Sequence, residues 1–321
     1  MNRSRRAFVK QAVQASLAMP WVGLPLWGRI ATGRAAELAK PDAPIGIGFS
    51  LYGMRSLPLA DALTACRTIG YDSVELPVMA DWPADSAQFG VDAQRVFREQ
   101  LEETGLRLSG LMENLVLLAP ADGHAANLAR ITAAGRIARS LSPERPPVVE
   151  TILGGKPEQW NDVRSAMVSR LKEWGRAADD AGATIAIKPH VAGAVHTPED
   201  AVWLCEETAH PRIKAAFDFS HYQLRGRQLG ECLDRLLDKT VFIHVKDARG
   251  TQDKFQFLLP GEGTIDYVDY FRRLATGRYQ GDVVVEVSGQ IHSNKDYDPL
   301  VAAKRSHAAL AAAARQAGVR P

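Results

Sequence analysis

Cysteine is scarce in this chain, and the spacing of the few cysteines argues against a disulfide framework. The 321 residues include three cysteines, Cys66, Cys205 and Cys232. They are far apart and odd in number, and each falls in a segment with a helical pattern. These features favour buried free thiols over a disulfide or a cysteine metal site.

Excess charge and uninterrupted apolar runs are also missing. The formal net charge is +2, with no basic block and no run of interleaved aromatic residues, so nucleic acid is not an implied partner. The apolar run at residues 12–27 contains Pro20, Gly23 and Pro25, which make it a poor membrane-spanning helix.

The first residues resemble a targeting segment. The sequence S-R-R-A-F-V-K at residues 4–10 resembles the twin-arginine export signal, and small residues follow the apolar run at Gly33, Ala35 and Ala36. We therefore predict that residues 1–40 are a signal peptide and linker, that the protein is periplasmic or otherwise exported, and that the twin-arginine export machinery is a partner. The alternative is a basic disordered start on a cytoplasmic protein.

The rest of the chain alternates short β-rich segments with longer helical patterns. Strands are predicted near residues 45–52, 70–76, 106–112, 147–153, 183–189, 213–219, 241–246 and 281–287. Eight strand-then-helix units in residues 41–321, with no repeat or linker, predict an α/β fold, a single (β/α)8 TIM barrel, which typically has about 250 residues. A doubly wound open sheet is the alternative, but its glycine fingerprint after the first strand is missing.

Four predicted strands end in residues that can bind a metal ion. His190 follows strand five, Asp218 ends strand six, His244 lies in strand seven and Glu286 ends strand eight. Because the C-terminal ends of barrel strands gather at one face, we expect these four side chains to bind one divalent cation. The alternatives are a helix cap for Asp218, a structural role for His244 and an ion pair for Glu286.

Other polar residues at the same strand ends are candidates for catalysis and substrate binding. Lys188 in a closed pocket can have a lowered pKa and act as acid or base, or it can hold an oxyanion. A salt bridge from Lys188 to Glu286 or Glu150 is the alternative. We expect Lys188 and Glu286 to be the acid–base pair. The predicted substrate contacts are Glu75, Glu150, His221 and Lys246.

Four motifs resemble the xylose-isomerase-like barrel superfamily, and within it the sugar phosphate isomerase/epimerase family. They are D-F-S-H at 218–221, H-V-K-D at 244–247, P-G-E-G-T-I-D at 260–266 and V-E-V at 285–287. The resemblance spans residues 45–318 and implies a divalent cation, manganese first, with magnesium, cobalt or zinc as alternatives. It places Lys188 where relatives carry a glutamate ligand, and His190 two residues on could restore the coordination number.

The resemblance also implies the chemistry. Family members remove a proton next to a carbonyl group and form an enediolate, which a bound metal stabilises. Reprotonation on carbon makes the enzyme an isomerase or epimerase of a keto sugar, which is our first prediction. Elimination from a 3-keto-glycoside would make it a lyase, and a sugar-binding barrel without catalysis is the third interpretation. A carbohydrate substrate is expected in the first two cases, and a homo-oligomer is compatible with all three.

Overall fold

The computed structural model describes residues 45–320. The predicted signal peptide, its linker and the predicted boundary between residues 40 and 41 lie outside the described residues. Within the described part of the chain, no helix is both long and apolar enough to cross a membrane.

Eight parallel strands close a barrel, which confirms the predicted fold class. Around the barrel the order is β1, β2, β3, β4, β5, β6, β7 and β10, and β10 pairs with β1 to complete the closure. The bounds are β1 (Gly46–Ser50), β2 (Ser73–Pro77), β3 (Arg107–Asn114), β4 (Val148–Ile152), β5 (Ile185–Lys188), β6 (Ile213–Asp218), β7 (Thr240–Val245) and β10 (Asp282–Val285). An antiparallel hairpin of β8 (Asp247–Thr251) and β9 (Lys254–Leu258) follows β7, and the sequence patterns did not predict it.

Within the described residues, eight longer helices surround the barrel; seven connect successive barrel strands, and the last follows β10. They are α1 (Leu59–Ile69), α2 (Val91–Thr104), α3 (Ala121–Leu141), α4 (Trp160–Ala181), α5 (Pro198–Thr208), α7 (Leu229–Leu236), α8 (Tyr267–Thr276) and α10 (Pro299–Gln316). A short helix, α6 (Phe219–Gln223), directly follows β6, and another, α9 (Gly289–His292), begins shortly after β10. Helix α5 begins with a capping box, in which Thr197 and Asp200 exchange side-chain-to-backbone hydrogen bonds of 3.1 and 3.0 Å.

The core lies between the strands and the helices, and the three cysteines are buried there as free thiols. A smaller apolar cluster fills the barrel interior, where Phe242 packs with Ala186, Ala216 and Val284. A Cβ atom at Gly110 would lie 2.7 Å from the Phe242 ring, so glycine is needed to make room for it. His244 lies two residues after Phe242 along β7, so this apolar cluster is on the N-terminal side of His244. The polar interior therefore begins above it, toward the C-terminal ends of the strands.

Candidate active site

Strand pairing brings the predicted site residues together at the C-terminal end of the barrel. In the sheet register, Asp218 on β6 is the partner of His244 on β7, and Val284 on β10 is the other partner of His244. Glu286 comes two residues after Val284 and therefore points into the barrel in the layer above. Residues that are far apart in sequence thus face one another because the barrel is closed.

His244 is the centre of this arrangement, and both of its ring nitrogens have partners. Its Nδ1 atom lies 2.8 Å from Nζ of Lys188 and 3.5 Å from Oε2 of Glu286. Its Nε2 atom lies 2.9 Å from Oε2 of Glu75. An ammonium group only donates, so Nδ1 accepts from Lys188 and Nε2–H donates to Glu75. Glu75 thereby orients the ring so that the lone pair on Nδ1 faces Lys188 and Glu286.

Lys188 bridges two carboxylates as well as the imidazole. Its Nζ atom lies 3.1 Å from Oε1 of Glu150 and 3.2 Å from Oε2 of Glu286, so both alternative salt bridges are present. Burial alone would lower the pKa of Lys188, but Glu150, Glu286 and more distant carboxylates outweigh it and raise that pKa. Because its pKa is raised, Lys188 stays protonated and can hold an oxyanion. A role as a general base would have required a lowered pKa.

Lys246 connects the carboxylates of β6 and β10. Its Nζ atom hydrogen-bonds Oδ2 of Asp218 and lies 2.5 Å from Oε2 of Glu286. The other Asp218 oxygen, Oδ1, accepts hydrogen bonds from the backbone N–H of Ser220 at 3.1 Å and from its hydroxyl at 2.6 Å. Asp218 therefore caps α6 with one oxygen, as the alternative interpretation expected, and its other oxygen faces Lys246.

Charge is not balanced within this cluster. Four carboxylates surround two ammonium groups, which leaves two formal negative charges when all are ionised: Glu75, Glu150, Asp218 and Glu286 against Lys188 and Lys246. Burial raises the pKa of Glu150 from 4.5 to about 7. Burial also opposes ionisation of Glu286, but the neighbouring ammonium groups outweigh it and hold that pKa well below its usual value. At neutral pH, Glu286 is thus a carboxylate, whereas Glu150 is near its titration midpoint.

Two groups of side chains could hold a divalent cation within the described part of the chain. Ligand atoms lie within 4.8 Å of one another in the set Asp218, His244 and Glu286, and also in the set Glu75, Glu150 and His244. The first set has two carboxylates and an imidazole oriented by Glu75, a donor set that suits manganese or zinc. Within residues 45–320, Oε1 of Glu75 and Oε2 of Glu150 have no hydrogen-bond partner. One dication would balance the two negative charges that are in excess when all four carboxylates are ionised. The donor set and the charge therefore fit a cation, which would replace hydrogen bonds now made by the two ammonium groups.

The structure does not bring His190 into either set of potential ligands, contrary to the expectation that it completes the metal site. Its Nδ1 atom accepts a hydrogen bond from the backbone N–H of Ala192 at 3.2 Å, and its ring packs on His221 with centroids 4.3 Å apart. His221 lies nearer the cluster, with Nε2 at 3.4 Å from both Oδ2 of Asp218 and Nζ of Lys246. The loop after β5 therefore holds His190 beside His221 and not among the three residues of either ligand set.

The hairpin β8–β9 contributes a wall that sequence patterns did not reveal. The Phe257 ring centroid lies 4.9 Å from Nζ of Lys246 and 5.1 Å from the ring centroid of His221. Asp247, at the start of the hairpin, accepts from the backbone N–H groups of Gly261 at 2.7 Å and Ile265 at 3.2 Å. The motif at 260–266 is thus hydrogen-bonded to Asp247, the residue after Lys246. In the sequence, the adjacency of Lys246 and Asp247 was the signal that this motif lies near the site.

An aromatic group beyond the ends of β1, β2 and β10 was also missed. Tyr52 stacks on Trp82 with centroids 5.0 Å apart, and His292 meets Tyr52 edge-on at 4.5 Å. Arg55 lies over the Trp82 ring at 4.6 Å. Burial, and after it the negative charge of Glu286, raise the pKa of the Tyr52 hydroxyl above its usual value. These residues follow strand ends, but nothing in their sequence context marks them as a cluster.

Comparison with known proteins defines the family. A model of the xylose isomerase-like TIM barrel family matches residues 63–313, and the chain belongs to this family. This confirms the resemblance read from the motifs at 218–221, 244–247, 260–266 and 285–287.

The individual relatives are more distant. An inosose dehydratase of Clostridium botulinum (strain Alaska E43 / Type E3) is 27% identical over 144 residues, which is 40% of this chain and 47% of that protein. The chain thus spans about half the length of the curated relatives it matches. A solved apo structure of 3-keto-D-glucoside 4-epimerase from E. coli has a TM-score of 0.67 and 17% identity, covering 84% of this chain and 99% of that one.

A third relative is a solved IolI protein with a bound zinc atom. It has a TM-score of 0.69 and 18% identity over 84% of this chain and 99% of its own. At such identities the structural similarity shows the shared fold. The relatives of this chain include sugar-modifying enzymes of two types, dehydratases and epimerases.

Proposed function

We propose that this protein is a metal-dependent enzyme that removes a proton from the carbon next to the ketone of a keto sugar or a related keto polyol. The supporting observation is the buried cluster of Asp218, His244 and Glu286 with two lysine ammonium groups, which lies at the mouth of a barrel otherwise filled by apolar side chains. Such a cluster is costly to bury and has little packing value, which favours a chemical role.

Within this proposal, Asp218, His244 and Glu286 hold a divalent cation, with manganese as our expectation. A cation there would act as a Lewis acid that polarises the ketone and stabilises the enediolate. Glu286 is the carboxylate with the largest exposed fraction in the cluster, 14% of its side chain, and its lowered pKa keeps it ionised. It is therefore the best placed group to accept the substrate proton, and Lys188 and Lys246 are placed to hold the oxygen atoms of the substrate.

The fate of the enediolate separates two candidate reactions. Isomerisation or epimerisation is the family expectation, but inversion at carbon calls for proton-transfer groups on both faces of the enediolate. By the family resemblance, Lys188 takes the position of the second glutamate, and its raised pKa makes it a proton donor and not a base. This observation favours the second candidate, elimination of a neighbouring substituent, which needs one base and one acid. The relatives named inosose dehydratase support the same candidate.

Deuterium exchange tests the proposal directly. The purified protein with manganese would be incubated in D2O with D-tagatose, D-psicose, an inosose and a methyl 3-keto-glucoside. We expect deuterium to appear on the carbon next to the ketone of at least one probe, and Glu286→Gln to abolish it. Glu199→Gln, which alters an exposed ion pair with Arg227 on the barrel surface, is the matched control and should keep the exchange.

The products of the same reaction distinguish the alternatives. Loss of water or release of methanol indicates a lyase, and an altered sugar of unchanged mass indicates an epimerase or isomerase. Binding of a probe without exchange would instead support a sugar-binding barrel. Export through the twin-arginine pathway is a separate proposal that rests on residues 4–10. Replacing Arg5 and Arg6 with lysine should leave the protein in the cytoplasmic fraction.

A further inference from the structure

The loop after β5 donates backbone hydrogen bonds to two histidine rings. The N–H of Ala192 lies 3.2 Å from Nδ1 of His190, and the N–H of Val191 lies 3.3 Å from Nδ1 of His221. A backbone amide can only donate, so each Nδ1 atom must present a lone pair. Each neutral ring therefore carries its proton on Nε2.

This arrangement is held by further backbone hydrogen bonds of the same loop. The N–H of His190 donates to the carbonyl of Val195 at 2.9 Å, and the N–H of Gly193 donates to the carbonyl of His190 at 2.9 Å. The N–H of Ala194 donates to the carbonyl of Gly154 at 3.0 Å, which ties the loop to the end of β4. Rotating the His190 ring to free Nδ1 would leave a backbone donor without its partner, so the tautomer is fixed by the loop.

The Nε2–H group of His190 remains available to a ligand. His190 is half-buried, and within residues 45–320 no side chain accepts a hydrogen bond from its Nε2 atom. Burial, together with the charges of Lys246 and Lys188, lowers the pKa of His190 to about 4, so the ring is neutral at physiological pH. A neutral imidazole with a free N–H group near two ammonium groups is a hydrogen-bond donor in a site where negative charge can develop.

We propose that His190 is a catalytic hydrogen-bond donor to the ketone oxygen of the substrate, and not a ligand of the metal. The proposal rests on the proposed function. Glu286 accepts the proton from the carbon next to the ketone, and the electron pair of that C–H bond forms the carbon–carbon double bond of the enolate. The π pair of the carbonyl moves onto the oxygen atom, which keeps its hydrogen bond from Nε2–H. No proton leaves His190 in this step.

The effect of removing this donor can be separated from loss of a metal ligand. His190→Leu removes the donor, and His190→Gln restores an amide N–H group. His196→Leu is the matched control, because this histidine belongs to the same loop and its Nδ1 lies 2.7 Å from the carbonyl oxygen of Ala194. For a probe that exchanges with the wild-type protein, we expect His190→Leu to lower the exchange rate by about 10²–10³-fold. His190→Gln should recover part of the rate, and the control should keep it.

Two further measurements do not depend on turnover. Titration with manganese should give the same affinity for His190→Leu as for the wild-type protein. Nitrogen NMR should show an unprotonated Nδ1 and a protonated Nε2 for His190 between pH 6 and 8, with the signal assigned by its loss in His190→Leu.

Three results would overturn the donor role. They are a manganese affinity that falls at least tenfold in His190→Leu, an exchange rate that does not change, or a proton on Nδ1. If no probe exchanges even with the wild-type protein, the proposed function fails and the ketone contact fails with it. The tautomer and the metal affinity would still show separately whether the ring is a donor or a ligand.

Discussion

One part of the pH dependence of this protein's stability should come from the buried carboxyl group of Glu150, and Glu150→Gln should remove that part. Glu150 is fully buried, and burial raises its pKa from 4.5 to about 7 despite the opposing charges of Lys188 and His244. The folded protein therefore holds this proton more tightly than the unfolded chain. The resulting stabilisation is fully present below about pH 4.5 and is lost as the pH rises through about 7.

The magnitude follows from the two pKa values. The gap between 4.5 and about 7 corresponds to a loss of roughly 3 kcal/mol in the free energy of unfolding once Glu150 is ionised. Glutamine has nearly the same size and cannot ionise, so Glu150→Gln should avoid this loss. We expect the variant to gain about 3 kcal/mol relative to the wild-type protein between pH 5 and 8.5.

Urea unfolding followed by tryptophan fluorescence would measure this difference at several pH values. A chelator should be present so that metal binding does not contribute, and Glu199→Gln provides the control for removing a glutamate charge at the surface. The quantity to compare is the change with pH and not the absolute stability, because the glutamine also alters hydrogen bonding to Lys188. A difference between variant and wild type that stays constant from pH 5 to 8.5 would refute the reasoning.

Three other variants test the remaining parts of the site. Asp218→Asn should lose manganese binding in calorimetry together with deuterium exchange, and stoichiometric manganese in this variant would contradict the ligand assignment. Lys188→Met should keep the metal, lose turnover and destabilise the fold by about 3–5 kcal/mol in urea, because two buried carboxylates lose their partner; full activity would show that its role is wrongly assigned. Asp247→Asn should lower stability by about 1–3 kcal/mol. In the same variant, hydrogen–deuterium exchange should be faster at the amides of Gly261 and Ile265, and unchanged protection there would contradict the anchoring role.

The fold could be predicted from sequence because each strand is a short apolar segment followed by a clear helix. The hairpin β8–β9 was missed for a physical reason. Its two strands pair only with each other, and Phe255 and Phe257 on β9 pack on the barrel mouth and not in the core between strands and helices. The segment therefore lacks the continuous apolar pattern of a buried strand.

The site was predicted in part for a similar reason. Asp218, His244 and Glu286 are placed by strand register, which the alternation of apolar residues indicates. The orientation of the His190 ring depends instead on backbone N–H groups in the loop after β5. The pattern of side chains in the sequence does not indicate this orientation. The pKa of Lys188 depends on how many carboxylates surround it in space, which the linear order of residues does not give.

The double role of Asp218 has a consequence for ligand binding. The helix cap made by its Oδ1 atom locks the side-chain rotamer before any ligand arrives, so a cation or substrate at Oδ2 meets an oxygen atom that is already in position. Folding, and not binding, thus bears the entropic cost of ordering this carboxylate. A glutamate at this position would add a methylene group and could not keep both oxygen atoms where they now lie. Preorganisation at the mouth of the barrel therefore comes from the first turn of a five-residue helix.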